Sequence, residues 1–448
     1  MTELNEKVER LYELIRDCFY LGDELLEIGD RKYLPVALFG ILTLLLSGKE
    51  LVFGEYGSGK TSSSERISSL VLGLPLEFIQ TATVHAHPEQ TEEKIKATID
   101  LGALEKQGKE IVKWKIIPFP PVVIIDEINR LPVGKQNMLL NEVDRNIWSY
   151  RGETLIFQEG KSFFATINYQ DVGATRLIAP LLDRFDVAVE TGPLHPVRKR
   201  IIRRGIDEEI LKDRQTSQEL ITFVLENNET GSADATVTYI NLRAERFKEE
   251  LEARFSKAGL DLKIPRRQEI KTIREEMKER EITEDAELFL DYLGEEVRCQ
   301  YTLKKDFSRC DGCHYRNYIC SDLYGISQRA EQSLLRYGQA LAWMTGEEEV
   351  TLEHISAIMP YVIWHRSGLS DKKRSEVKDV KKNCSDDLYA VADALREAKK
   401  RWEEHRDHQI EAYVALQNGD SETLEKMADD IGHPFFQSLV RETLSNNG

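Results

Sequence analysis

The sequence is poor in cysteine, with 6 in 448 residues, which excludes a disulfide scaffold as its source of stability. Basic residues are also in deficit. Lys and Arg number 61 against 78 Asp and Glu, for a formal net charge of -17. That balance argues against a chain that coats nucleic acid through bulk charge. No strand-like run interleaves aromatic with basic residues, as a single-strand binding platform would require. Long hydrophobic runs are missing too. The longest, from Leu34 to Ser47, is too short to span a bilayer and begins beside Pro35. It reads instead as a buried helix packed under a sheet. No positively charged end followed by an apolar core opens the chain, so a cytoplasmic location is expected. Repeats and low-complexity tracts are absent. The remaining composition, 41% hydrophobic and 31% charged, is that of a soluble globular protein, and the length predicts two or three domains.

The most informative segment is Gly54-Glu55-Tyr56-Gly57-Ser58-Gly59-Lys60-Thr61, which fits G-x-x-x-x-G-K-[ST]. Leu51-Val52-Phe53 reads as a buried strand leading in, and 62–72 as a helix leading out. That context suits phosphate binding. Glycines turn backbone N–H groups inward, the helix N-terminus adds its dipole, Lys60 adds a charge, and the Thr61 hydroxyl can ligate Mg²⁺. ATP and Mg²⁺ are therefore the expected ligands.

Val122-Val123-Ile124-Ile125-Asp126-Glu127 is an apolar strand ending in two acids. Asp126 at the carboxyl edge of a sheet can hold Mg²⁺ through water, and Glu127 can polarise the attacking water. A second strand, Phe163-Phe164-Ala165-Thr166-Ile167-Asn168, ends in an amide that either orients that water or makes a turn. Leu182-Asp183-Arg184-Phe185 carries an arginine that either forms an intrachain ion pair or reaches a neighbouring subunit's γ-phosphate. Arg329, in Ser327-Gln328-Arg329-Ala330, opens a helix and could reach the phosphates from a lid.

Apolar strand-like runs at 50–53, 77–80, 122–125, 162–167 and 186–190 alternate with helical segments, which predicts a parallel sheet with helices on both faces. An amphipathic helix is expected over 1–32, from Val8, Leu11, Leu14, Ile15 and Phe19. Long charged helices are expected at 242–259 and 266–280, and a loop through 371–384. The basic stretch at 197–204 reads as a solvated helix face or a subunit contact.

Together Asp126-Glu127-Ile128-Asn129-Arg130, Ala165-Thr166-Ile167-Asn168, Leu182-Asp183-Arg184-Phe185 and Ser327-Gln328-Arg329-Ala330 resemble the motif series of the MoxR family of AAA+ ATPases. The resemblance covers roughly 34–194 and 325–366. It implies an α/β parallel-sheet P-loop AAA+ core with an all-α lid. Asn168 would be the sensor-1 residue, Arg184 the arginine finger acting in trans, and Arg329 the sensor-2 arginine. It also implies a hexameric ring with ATP at the subunit interfaces, acting on a client or adaptor protein such as a von Willebrand A domain partner. Two insertions are characteristic of the family, one matching 81–115 and the other a hairpin matching 148–160. Both are expected to face the ring's pore and the client. His85 and His87 in the first could form a metal pair or a solvated loop. The implied parts are an N-terminal helix (1–33), the core (34–196), a helical insert (197–324), the lid (325–368) and a helical C-terminal region (369–448).

The chain departs from the family in three places: Tyr169-Gln170 follows Asn168 where a proline is usual, the insert is long, and it carries cysteines. MCM helicases share the hairpin insertion and the style of finger, so a nucleic-acid motor is the alternative. A slow ATP-dependent switch is a further one. The acidic charge, and Arg151 beside Glu153 at the hairpin tip, tilt against nucleic acid. In the insert, Cys299, Cys310, Cys313 and Cys320 have the spacing C-x10-C-x2-C-x6-C. Zinc or an iron–sulfur cluster in a structural role is expected; a metal-free cysteine patch is the plain alternative.

Overall fold

The structure is a computed structural model. It describes residues 3–19, 26–169, 175, 177–192, 207–297, 318–323, 325–380, 382 and 384–446. The chain forms two compact units, Met1–Glu279 with Trp343–Glu347, and Arg280–Ala342 with Glu348–Gly448.

In the first unit, helix α1 (Glu3–Cys18) precedes a hairpin of β1 (Leu26–Ile28) and β2 (Arg31–Tyr33). The helix expected over 1–32 therefore stops at Cys18, and Gly29 turns the hairpin with a positive φ of 56°. Helix α2 (Pro35–Leu46) is apolar on all sides and buried from Pro35 to Leu45, as a helix covered on every face must be. Pro35 suits its first turn, where no N–H partner is needed.

Then come β3 (Lys49–Gly54), α3 (Lys60–Leu72), α4 (Leu76–Thr81) and β4 (Val84–His85). The run at 77–80, expected as a strand, is instead α4. Pro75 precedes it, and Leu76, Phe78 and Ile79 are buried along one face at helical spacing. One edge strand of the sheet is β4.

The first insertion holds α5 (Glu92–Ile95), β5 (Ala97–Ile99), α6 (Leu101–Gln107) and β6 (Val112–Trp114), with β5 and β6 antiparallel. Strand β7 (Val122–Asp126) follows, then α7 (Val133–Gln136) and α8 (Leu140–Arg145). Strands β8 (Ile147–Tyr150) and β9 (Glu153–Ile156) form the expected hairpin. Its two-residue turn has φ of 44° at Arg151 and 85° at Gly152, the sign that matches the twist of the strands. Strand β10 (Ser162–Asn168), α9 (Ala179–Leu182) and β11 (Val187–Thr191) complete the core.

The five-stranded sheet has the order β11-β3-β10-β7-β4, and every adjacent pair is parallel. All seven residues of β10 are buried, as expected of a central parallel strand with both faces covered. Among the described residues α10 (Arg214–Glu226), α11 (Ala233–Lys257) and α12 (Arg267–Lys278) follow. Helix α11 starts nine residues before the predicted 242, because Gly231-Ser232 make a 3-10 turn that leads directly into it.

The second unit is helical: α13 (Glu284–Val297), α14 (Gln328–Thr345, which begins in this unit), α15 (Leu352–Ile363), α16 (Asp371–Val377), α17 (Asp386–Asn418), α18 (Ser421–Ile431) and α19 (Pro434–Asn446). Helix α16 occupies half of the loop expected at 371–384; the Ser370 hydroxyl caps it by accepting the Lys373 N–H at 3.2 Å. The buried Glu296 on α13 is met by side chains from two later segments of the unit. Arg401 on α17 donates to both of its oxygens at 2.8 and 2.7 Å, and His433 lies 3.1 Å away. Burial pushes this carboxyl's pKa up, but Arg401 and His433 outweigh it and the net direction is down. Cys299, Cys310 and Cys313 lie outside the described residues; Cys320 is buried on a short turn, Ile319–Ser321. No group of three metal-ligating side chains occurs among the described residues.

Candidate functional site

Strand β3 delivers the chain to the glycine loop and α3 takes it away. At Gly54 a side chain would place its Cβ 2.1 Å from Thr191 Oγ1 and 2.8 Å from the Thr191 carbonyl, so only glycine lets β3 end against β11. Gly59 caps α3 with φ of 81°, a left-handed turn that points the following N–H groups into the loop. Ser58 Oγ lies 2.6 Å from Thr191 Oγ1 and ties the loop to the sheet edge. Glu55, Tyr56, Gly57 and Gly59 are exposed at the mouth.

Lys60 is buried, and its Nζ donates to the carbonyls of Gly54 at 3.2 Å and Glu55 at 2.8 Å. Burial pushes its pKa down, against the pull of Asp126, Glu127 and Glu55. An ammonium resting on two carbonyls is poised to exchange them for phosphate oxygens.

The carboxyl edge of the sheet brings the acids to the same place. Thr61 Oγ1 donates to Asp126 Oδ1, Thr166 Oγ1 donates to the same oxygen at 2.8 Å, and His85 Nδ1 lies 3.1 Å from Oδ2. Burial pushes the Asp126 pKa up, but these three partners outweigh it and hold the carboxyl below its usual range. Glu127 sits in a left-handed conformation, φ 53°, with its N–H on Thr166 Oγ1 at 2.9 Å. Asn168 Nδ2 donates to Glu127 Oε1 at 2.5 Å, and Arg130 Nε lies 2.9 Å from Oε2. Asn168 stands in register with Gly54 across β10 and β3, and its buried Oδ1 lacks a partner. These residues fit a nucleotide with a hard cation. The loop is open at Gly57 and Gly59, an ammonium faces it, and a hydroxyl and an ionised carboxylate supply oxygen donors side by side.

Arg184 folds against its own chain in this conformation. Its Nη1 donates to the Pro180 carbonyl, and its Nε lies 3.7 Å from Asp144. Arg329 is exposed in the first turn of α14, in the second unit. His87 accepts the Glu89 N–H at 3.2 Å, so the two histidines bond to different partners. Sequence reasoning gave no role to Thr166, Thr191 or Arg130. The signal for Thr166 was available: a hydroxyl two positions before Asn168 on an otherwise apolar strand.

Residues 50–185 match the family model of the AAA domain (dynein-related subfamily), and 319–383 match that of the AAA lid domain. The chain thus carries a P-loop AAA+ ATPase domain, a helical lid and a helical C-terminal region. Among solved structures, a provisionally assigned ATPase from Cytophaga hutchinsonii is similar in fold: TM-score 0.53, 16% identity, covering 88% of this chain and 94% of that one. A full-length MCM homolog from Methanopyrus kandleri aligns with TM-score 0.40 and 12% identity over 74% of this chain and 55% of its own, too weak to carry an argument. No curated protein matches the chain. No described helix is long and apolar enough to cross a membrane.

Proposed function

We propose that the protein hydrolyses ATP in an oligomeric ring of MoxR type and uses the turnover to remodel or activate a partner protein. The observation that carries this reading is the convergence of Lys60, Thr61, Asp126, Glu127 and Asn168 at one sheet edge beneath the glycine loop. The loop N–H groups and Lys60 bind the β- and γ-phosphates. Thr61 and Asp126 hold Mg²⁺, which supplies charge neutralisation on the phosphate oxygens when bound. Glu127 takes the proton of the attacking water, and Asn168 orients that water and its base. Asn168 and Arg130 each meet one Glu127 oxygen, and each oxygen keeps a lone pair with which to accept the proton. Arg184, released from Asp144, serves the neighbouring subunit's γ-phosphate, and Arg329 serves from the lid. The hairpin and the first insertion contact the client.

Mixing tests the ring and the finger together. Inactive Lys60→Ala chains mixed with inactive Arg184→Ala chains should regain part of the parent turnover, since some interfaces then pair an intact loop with an intact finger. No recovery at any ratio would remove Arg184 from that role.

A further inference from the structure

Asp126 is held from both sides of its own strand. On one side β10 supplies Thr166, which donates to Oδ1 at 2.8 Å. On the other, β4 pairs His85 with Asp126 in register, and the Ala86 N–H donates to the Asp126 carbonyl at 2.9 Å. Both threonine partners, Thr61 and Thr166, use Oδ1. Among the described residues, the side chain that meets Oδ2 is His85, with Nδ1 at 3.1 Å. A carboxylate only accepts, so Nδ1 carries the proton and the imidazole is the donor. The His85 side chain is 73% exposed, so little packing rests on it, and its place is explained by this bond rather than by the core.

We propose that His85 is a positioning residue for the cation: by occupying Oδ2 it fixes the carboxylate plane of Asp126, so that Oδ1 and Thr61 present one preorganised pair of oxygens to the Mg²⁺ that accompanies ATP. The proposal rests on the nucleotide-site reading above. Partners of metal ligands orient them, and their loss lowers metal affinity by about 10–100-fold. His85 is exposed, and Thr166 remains, so the lower end applies.

The test uses the full chain with a non-hydrolysable ATP analogue and Mn²⁺ as the probe, free Mn²⁺ being followed by electron paramagnetic resonance. His85→Ala should weaken nucleotide-dependent Mn²⁺ binding about tenfold, with analogue affinity in EDTA unchanged. His85→Asn keeps an N–H donor and should restore most of the affinity. Mn²⁺ affinity in His85→Ala equal to the parent's would overturn the proposal, as would His85→Asn no better than alanine, or an equal loss of analogue affinity in EDTA. A parent chain without any nucleotide-dependent Mn²⁺ site would overturn the nucleotide reading itself.

Discussion

Glu50 lies on β3, four residues before the glycine loop, and is 1% exposed. Among the described residues its side-chain partner is neutral: Thr43 Oγ1 donates to Oε2 at 3.0 Å. Burial raises its pKa from 4.5 to about 8, and the Thr43 bond offsets only part of that. The sign follows. The folded state keeps a proton that the unfolded chain releases above about 4.5. Stability is therefore unpenalised below that value, is lost as pH rises from about 4.5 to 8, and stays lower above. Between pH 4.5 and 7 the loss reaches about 3 kcal/mol, at about 1.4 kcal/mol per pH step. Relaxation around the group reduces this to about 2 kcal/mol. Glu50→Gln keeps an acceptor for Thr43 and removes the titration. Its melting temperature relative to the parent should rise with pH, gaining about 5 °C between pH 5 and pH 8. The fixed cost of burying an amide cancels in that comparison. A difference between the two proteins that stays flat from pH 5 to pH 8 would refute the argument.

Gly54→Ala should lower affinity for a fluorescent ATP analogue by about tenfold or more, because its Cβ would lie 2.8 Å from the Thr191 backbone carbonyl, which cannot rotate away; unchanged affinity in an equilibrium titration would contradict the close approach. Arg401→Met strips the buried Glu296 of its bidentate partner and should destabilise the protein by about 3 kcal/mol in chemical denaturation. Adding Glu296→Gln should recover much of that loss, and a double variant as unstable as the single one would show that charge burial is not the cause.

The glycine loop was legible from G-x-x-x-x-G-K-[ST] between a strand and a helix, and Asp126-Glu127 and Asn168 from polar residues that end apolar runs. The hairpin was expected only from the resemblance, at 148–160, and the strands pair over Ile147–Ile156. The run at 77–80 misled because Phe78 and Ile79 are as apolar as a short strand, and four residues do not separate a period of two from one of 3.6. The strand beside β7 at that edge, β4, has only two residues and no pattern at all. His85 was visible as a loop histidine, but its bond to Asp126 depends on strand pairing across 41 residues of chain, which composition does not encode. The Arg184 ion pair with Asp144 likewise joins segments that only the fold brings together.

This sheet edge is proposed to hydrolyse ATP. The most direct measurement is phosphate release from ATP and Mg²⁺ by the purified chain, run beside nucleotide binding for the parent, Glu127→Gln and Lys60→Ala. The account predicts turnover by the parent, a loss of at least about 100-fold in Glu127→Gln with ATP still bound, and loss of both binding and turnover in Lys60→Ala. Glu127→Gln chains that release phosphate as fast as the parent would contradict it.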